Sequence, residues 1–163
     1  MTAQNPSNMP LAQFLPYQLS TASNAVSARI ALEYRTRWGL SVPEWRVMAV
    51  LGDAGALTQR DLTRRTLMDK VAVNRACKVL EDRDLTWRTP NELDGRSHLL
   101  ELTEAGRTMH AEIMPLAKEM ERRVFAGFSD EELARFRNFL DTVRTQAEDI
   151  GLEDVMSDNF GIS

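Results

Sequence analysis

The chain has 163 residues, 43% of them hydrophobic and 27% charged, with a net charge of −4. That is room for one compact domain with a helical extension rather than two independent cores, and the acidic balance gives no hint of a polyanionic partner. A single cysteine rules out an intrachain disulfide framework. The two histidines, His98 and His110, fall in different predicted elements with no metal-ligand spacing, so neither a metal nor a cofactor is expected.

Met1 to Pro10 is polar, lacks a basic start and an apolar run, and reads as a disordered tail without a secretory signal. No apolar stretch approaches bilayer length, so no membrane partner is expected and the default location is cytoplasmic. From Leu11 to Trp38, Leu15, Leu19, Ala22, Val26, Ile30 and Tyr34 recur at three- and four-residue steps, which predicts one stripe of a long helix. Gly39 supplies a left-handed stop. Ser41-Val42-Pro43-Glu44 is a capping box, with Leu40 and Trp45 at the spacing of a hydrophobic staple. A short second helix follows, with Trp45, Met48, Ala49 and Leu51 as its buried face and Gly52 and Gly55 at its end.

Thr58 opens a third helix, with Asp61 where a capping box would carry Glu and with Leu57 and Leu62 as staple. After a turn at Leu67-Met68, Asp69 caps a fourth helix. Its spacing puts Val73, Ala76, Cys77 and Leu80 on one face and Lys70, Val71, Asn74, Arg75 and Lys78 on the other. An outward stripe of amide, guanidinium and ammonium carries the donors that meet phosphates and base edges in a major groove. An ordinary amphipathic surface helix has the same pattern; the short capped helix before it and the hairpin after it favour the reading role.

Thr86, Trp87 and Thr89 favour a strand, Asp94-Gly95 is a turn signal, and Ser97 to Leu102 is the return strand. The polar loop Pro90 to Arg96 suits a projecting wing. Arg96 beside its tip could enter a minor groove, or pair with Asp94 and order the turn. Between Gln59 and Arg96 there are nine basic residues against seven acidic ones, a net +2, while the remainder of the chain is −6. One relatively basic region on an acidic body is expected if a single face approaches a polyanion.

Thr103 begins a fifth helix through Met109, Ile113, Leu116 and Met120, with a kink expected at Pro115 and a stop at Gly127. Ser129-Asp130-Glu131-Glu132 is a further capping box, flanked by Phe128 and Leu133. Leu133, Phe136, Leu140 and Val143 give a sixth helix its apolar stripe. The first helix and the last two carry more apolar surface than the central unit can cover. A two-fold dimer is the economical solution, with reading helices about 34 Å apart, and a monomeric helical bundle is the competing arrangement.

The fold class expected is mainly α with a small two- to three-stranded β-wing. A winged helix-turn-helix occupies residues 41–102, a helical dimerisation region residues 11–40 and 103–150, and tails residues 1–10 and 151–163. The chain resembles the MarR (multiple antibiotic resistance regulator) family of dimeric winged helix-turn-helix proteins over about Leu11 to Asp149. The resemblance is densest in Leu40-Ser41-Val42-Pro43-Glu44-Trp45-Arg46, in Asp69-Lys70 through Val73-Asn74-Arg75 to Leu80, and in Asp94-Gly95-Arg96-Ser97 leading to Leu102-Thr103-Glu104-Ala105-Gly106-Arg107.

The resemblance implies a homodimeric regulator of a pseudo-palindromic operator in double-stranded DNA. It would usually be a repressor, released by a small aromatic or phenolic acid or its coenzyme A thioester. In such proteins the position of Arg96 enters the minor groove and those of Asn74 and Arg75 meet the major groove. The expected DNA contacts are Thr58, Gln59, Arg60, Lys70, Val71, Asn74, Arg75, Lys78, Arg88, Asp94, Arg96 and Ser97. The family's ligand pocket lies where the first, second and fifth helices meet; the candidates there are Ser23, Ser27, Arg46, Met109, His110 and Ile113. Arg46 would be the counter-ion of a carboxylate, or else the partner of an intrachain acid. Where the family commonly has Gly after its fourth helix this chain has Asp84, tolerable if the backbone there is left-handed. Val71, Ala72 and Asn74 stand where Ser or Thr is common, so the family's base preferences do not carry over.

Two other readings of the regulator remain. Cys77 could sense oxidants, although its inward position on the fourth helix favours inert packing. The winged helix could also bind protein instead of DNA, a case that weak salt dependence of duplex binding would expose. An enzyme is not expected, since no carboxylate pair, Ser/His/Asp set or phosphate-cradling glycine loop is recognisable.

Overall fold

The computed structural model describes residues 10–150, so the expectations for residues 1–9 and for the tail at 151–163 lie outside the described residues. The elements are α1 (Leu15–Trp38), α2 (Val42–Ala54), β1 (Leu57–Thr58), α3 (Gln59–Thr66), α4 (Lys70–Asp82), β2 (Thr86–Pro90), β3 (His98–Leu102), α5 (Glu104–Val124) and α6 (Asp130–Asp149). The predominance of helix and the small three-stranded sheet agree with the expected fold class.

The long first helix starts later than its apolar spacing suggests. Leu11–Gln13 form a single 3-10 turn, and α1 begins at Leu15, with Pro16 in its first turn. Proline has no amide to donate and fits a helix only in that first turn, so Pro16 sets the start. Gly39 ends α1 at φ 65°, and the Ser41–Glu44 box starts α2 with the Ser41 amide donating to Glu44 Oε2 at 2.8 Å. The buried face of α2 is Val47, Met48 and Leu51, in place of the predicted Trp45, Met48, Ala49 and Leu51; Trp45 packs at the rim of the core. Gly52 lies inside α2, which runs on to Ala54 before Gly55 ends it at φ 78°.

Thr58 caps α3 by accepting from the Asp61 amide at 3.1 Å, and Asp69 caps α4 by accepting from the Ala72 amide at 2.8 Å. Between them Leu67 turns the chain in a left-handed conformation, φ 53°. On α4 the buried residues are Val73, Ala76, Cys77 and Leu80, the four that the helical spacing placed inward. They join Tyr34, Leu40, Val47, Met48, Leu51, Leu62, Leu85, Leu100, Leu102 and Ile113 in one core.

The strands are antiparallel in the order β1-β3-β2. β3 pairs with β2 from Thr86 opposite Leu102 to Pro90 opposite His98, and with β1 at Leu57 opposite Leu100 and Thr58 opposite Leu99. β1 leads directly into α3, so the wing and the start of α3 are fastened to the same central strand. Asp84 is left-handed at φ 54°, the conformation that a glycine would take without a Cβ penalty. Its carbonyl accepts from the Thr103 hydroxyl at 2.6 Å, and the Leu85 carbonyl accepts from the Thr103 amide at 3.1 Å. The same Thr103 hydroxyl accepts from the Gly106 amide at 3.0 Å, capping α5. A Cβ on Gly106 would lie 2.0 Å from the Leu85 carbonyl oxygen, so only glycine lets the first turn of α5 approach this closely.

The α5 helix continues across Pro115 to Val124, three residues short of the expected stop at Gly127. The described residues group into two compact units that divide after Met120. In the second unit Phe125 packs against Phe128 and Phe136, with ring centres 6.1 and 6.0 Å apart, and the Ser129–Glu132 box starts α6. No residue of α6 is buried: Phe136, Phe139, Leu140 and Val143 are 40 to 60% exposed.

Candidate nucleic-acid interface

α4 packs its apolar stripe inward and thereby turns Lys70, Val71, Asn74, Arg75 and Lys78 to the surface. Beside it, a groove of about 570 Å³ runs between the start of α3 and the wing. It brings together Thr58, Gln59, Arg60, Arg88, Asp94, Arg96 and Ser97 from the expected contact set. A second groove of about 390 Å³ lies between α3 and the start of α4, lined by Gln59, Arg60, Thr63, Arg64 and Lys70. Gln59 and Arg60 border both. Arg64, which lines both grooves, and Asn91 and His98, which line the first, were not among the expected contacts. Arg64 is one turn along α3 from Arg60, so the helical spacing that was applied to α4 would have found it.

The cations of this region divide into structural and surface-directed groups. Arg83 donates to the Trp38 carbonyl at 2.7 Å and the Gly39 carbonyl at 3.1 Å, filling acceptors at the C-terminus of α1. Arg88 forms a two-point pair with Glu81, Arg64 pairs with Asp61 at 3.1 Å, and Lys78 with Asp82 at 3.7 Å. Arg60, Arg65, Lys70, Arg75 and Arg96 have no ion pair within 4 Å among the described residues. These five are the charges most readily offered to a phosphate backbone, since no internal pairing has to be broken.

The wing tip is built by its own polar groups. Asp94 accepts from the Arg96 amide at 3.1 Å through its carboxylate and from the Ser97 amide at 2.9 Å through its carbonyl. Ser97 Oγ donates to the Asp94 carbonyl at 3.2 Å and accepts from Asn91 Nδ2 at 2.9 Å. Asp94 thus orders the turn through the Arg96 backbone, which leaves the guanidinium outside that network. Thr58 serves as the cap of α3, and its hydroxyl also donates to Asp61 Oδ2 at 2.6 Å. That bond holds the Asp61 carboxyl below the usual carboxylate range, against the opposing effect of burial and helped by Arg64. The Gln59 side-chain amide lies against that of Asn74, where the start of α3 meets α4.

The expected ligand residues are placed less uniformly. His110 is half-buried and stacks on Trp45 with ring centres 5.7 Å apart, directly over Gly52, where a Cβ would meet the imidazole at 2.5 Å. Tyr34 lies 4.9 Å from Trp45. Burial lowers the pKa of His110, with Asp53 opposing. Ile113 is wholly enclosed in the core, Met109 packs partly against it, Ser27 is half-buried, and Ser23 and Arg46 are exposed. Arg46 forms no ion pair among the described residues, so the intrachain acid partner expected as its alternative role is not found there. None of these six lines either groove described above. In the sequence Trp45 belongs to the staple and Tyr34 to the helical stripe, so neither is singled out beside His110.

A capped helix, a second helix with a polar outward stripe and a three-stranded wing define a winged helix-turn-helix. A family model described as MarR family matches residues 38–97. The uncharacterized HTH-type transcriptional regulator YdgJ of Bacillus subtilis (strain 168) is 30% identical over 137 residues, covering 78% of this chain and 79% of that protein. Among solved structures, a MarR/EmrR family transcriptional regulator from Acinetobacter sp. ADP1 has a TM-score of 0.81 at 22% identity, over 87% of this chain and 100% of that one. BpsR of Bordetella bronchiseptica, whose DNA binding is regulated by 6-hydroxynicotinic acid, has a TM-score of 0.66 at 22% identity, over 78% and 98% of the two chains. The chain belongs to the MarR family of winged helix-turn-helix transcriptional regulators. Regulators of this family bind DNA and small-molecule ligands and act as dimers. Among the described residues no helix is long and apolar enough to cross a membrane.

Proposed function

We propose that this chain is a homodimeric repressor that holds a pseudo-palindromic operator and leaves it when a small aromatic or phenolic acid, or its coenzyme A thioester, binds. The observation that carries the reading is the outward face of α4, where Lys70, Asn74 and Arg75 stand exposed beside a groove whose far wall is the wing with Arg96. α4 would lie in a major groove and Arg96 in the adjacent minor groove, with Arg60, Lys70 and Arg75 meeting phosphates or base edges. The dimer is supported by apolar side chains that one copy leaves open: Leu15 and Leu19 on α1 at 75 and 45% exposure, and Phe139 on α6 at 60%.

For the effector, the half-buried Trp45–His110 stack is a flat aromatic wall against which an aromatic ring could pack. BpsR supplies a precedent for an aromatic acid acting on such a fold. Ser23, Ser27, Arg46, Met109 and Ile113 remain the proposed surroundings, with Arg46 free to swing onto a carboxylate. Ligand binding would favour a spacing of the two reading units that no longer fits the half-sites.

Selection of bound sequences from a random duplex pool, followed by screening of aromatic acids and thioesters for release, tests the reading. The expected results are a two-fold symmetric consensus, a strongly negative slope of log affinity against log salt, and release by at least one such acid. A stable single copy in solution, or indifference to duplex DNA at low ionic strength, would overturn it.

A further inference from the structure

We infer that Leu93 is an apolar minor-groove contact: the wing tip carries it in beside Arg96, where it packs on the sugar walls and the base floor and rejects the 2-amino group of guanine. This rests on the DNA-binding reading above and goes beyond it to a further contact residue and the base pair it selects.

Leu93 is 98% exposed, the most exposed of the large apolar side chains among the described residues. Leu15 and Phe139 lie on helices that a second copy would cover, whereas Leu93 stands at the tip of the wing between Glu92 and Asp94. Its backbone is held from both sides of the turn. The Leu93 amide donates to Asn91 Oδ1 at 3.1 Å and the Asp94 amide to the Asn91 carbonyl at 3.2 Å. Asn91 in turn is fastened to Ser97, its amide donating to the Ser97 carbonyl at 3.2 Å and its Nδ2 to Ser97 Oγ at 2.9 Å. The tip is therefore ordered before it meets a partner, and the leucine is presented with little further loss of backbone freedom.

The tip has a charged side and an apolar side. Arg96 lines the groove beside α3, while Leu93 lines a separate hollow of about 490 Å³ with Thr89, Pro90 and Leu99. Glu92 and Asp94 oppose Arg96 in this loop, so charge alone does not hold the tip where negative potential is focused. An apolar contact supplies an attraction that the two acids do not cancel. In the minor groove both kinds of base pair present acceptors, and only G·C adds an amino donor. Leucine methyls packed on that floor exclude water and leave the amino group with no acceptor, a cost that A·T does not carry.

The test is selection from a random duplex pool run in parallel on the wild type and Leu93→Ala, with thermal melts to show that both are folded. The position at which Leu93→Ala loses its preference is the one that Leu93 meets. The selected duplex is then made with A·T, G·C or inosine·C there, since inosine keeps the major-groove edge of guanine and lacks its 2-amino group. The wild type is expected to bind A·T and inosine·C alike and G·C about tenfold more weakly. Leu93→Ala should bind all three alike, about tenfold more weakly than the wild type binds A·T, with an unchanged salt slope because methyl groups displace no counterions. Inosine·C bound as weakly as G·C, or a salt slope lowered in Leu93→Ala, would overturn the inference. So would a Leu93→Ala protein that loses no preference anywhere while the wild type still selects a sequence; the proposed function would then stand without this contact. Failure of the wild type to bind any duplex would instead remove the proposed function, and the contact with it.

Discussion

The Arg88 guanidinium closes on the Glu81 carboxylate at two points, Nε to Oε1 at 2.5 Å and Nη2 to Oε2 at 2.9 Å, and so ties β2 of the wing to the last turn of α4. An arginine that sequence pattern placed among the DNA contacts is thereby already neutralised, although it lines the wing groove. Arg96, at the wing tip, has no such partner among the described residues. The two arginines should behave differently when removed. Arg96→Ala is expected to weaken operator binding, to lower the salt slope by about one and to leave stability within about 0.5 kcal/mol. Arg88→Ala should leave the salt slope unchanged and cost about 1 kcal/mol in urea denaturation, a modest figure because the pair is partly exposed. Equal salt slopes for the two variants would contradict this division.

Gly106 is the tightest point between the wing and α5. Its replacement by alanine drives a Cβ against the Leu85 carbonyl and disturbs the Thr103 cap, so a loss of more than about 2 kcal/mol is expected. Gly127→Ala, with nothing within 4 Å of the new Cβ, serves as the control and should be nearly neutral. Chemical denaturation of the two variants side by side decides the matter.

Asp84 holds a left-handed backbone with a side chain attached. Asp84→Gly relieves that conformational cost at the expense of a more flexible unfolded chain, and the net gain should be up to about 1 kcal/mol. The Thr103 bonds to the Asp84 and Leu85 carbonyls are made by the backbone and survive the change. A fall in the melting temperature would show that the aspartate side chain contributes something that this geometry omits.

His110 supplies a pH dependence whose sign follows from its burial. Its pKa in the folded protein lies below the ordinary 6.5, so in the window under 6.5 the unfolded chain binds the proton first. Stability attributable to this residue should therefore fall as pH drops through 6.5 and be fully present above it. Urea midpoints at about pH 7.5 and 5.5 should differ more for the wild type than for His110→Gln. The same pH difference in both proteins would place the titration elsewhere.

Cys77 is fully buried, and desolvation pushes its thiol up to about 11, with Arg88 pulling weakly the other way. A thiol so enclosed is a poor nucleophile. It should resist a disulfide reagent in the native protein for as long as the protein stays folded and react at once in denaturant. Rapid native labelling, or loss of DNA binding on peroxide treatment that Cys77→Ser abolishes, would revive the oxidant-sensing alternative.

Short-range features were legible from the residues alone. The caps at Ser41, Thr58, Asp69 and Ser129, the stop at Gly39 and the inward stripe of α4 each depend on neighbours within a few positions, and the structure carries all of them; the left-handed backbone at Asp84 was suggested only by the family resemblance. Where local rules competed, the outcome was misjudged: Pro16 moved the start of α1, and Val47 took the buried place given to Ala49. A helical spacing does not say which of several adjacent apolar groups the core will take up.

Only the tertiary structure decided which polar groups are already engaged. Arg83 reaches carbonyls 44 and 45 residues away, the Gln59 side-chain amide meets that of Asn74 from 15 residues away, and His110 settles over Gly52. A residue type announces what a side chain can donate or accept. Which partner uses that capacity depends on what folding brings within about 3 Å, and hydrogen bonds are too short-ranged for any spacing along the chain to reveal it.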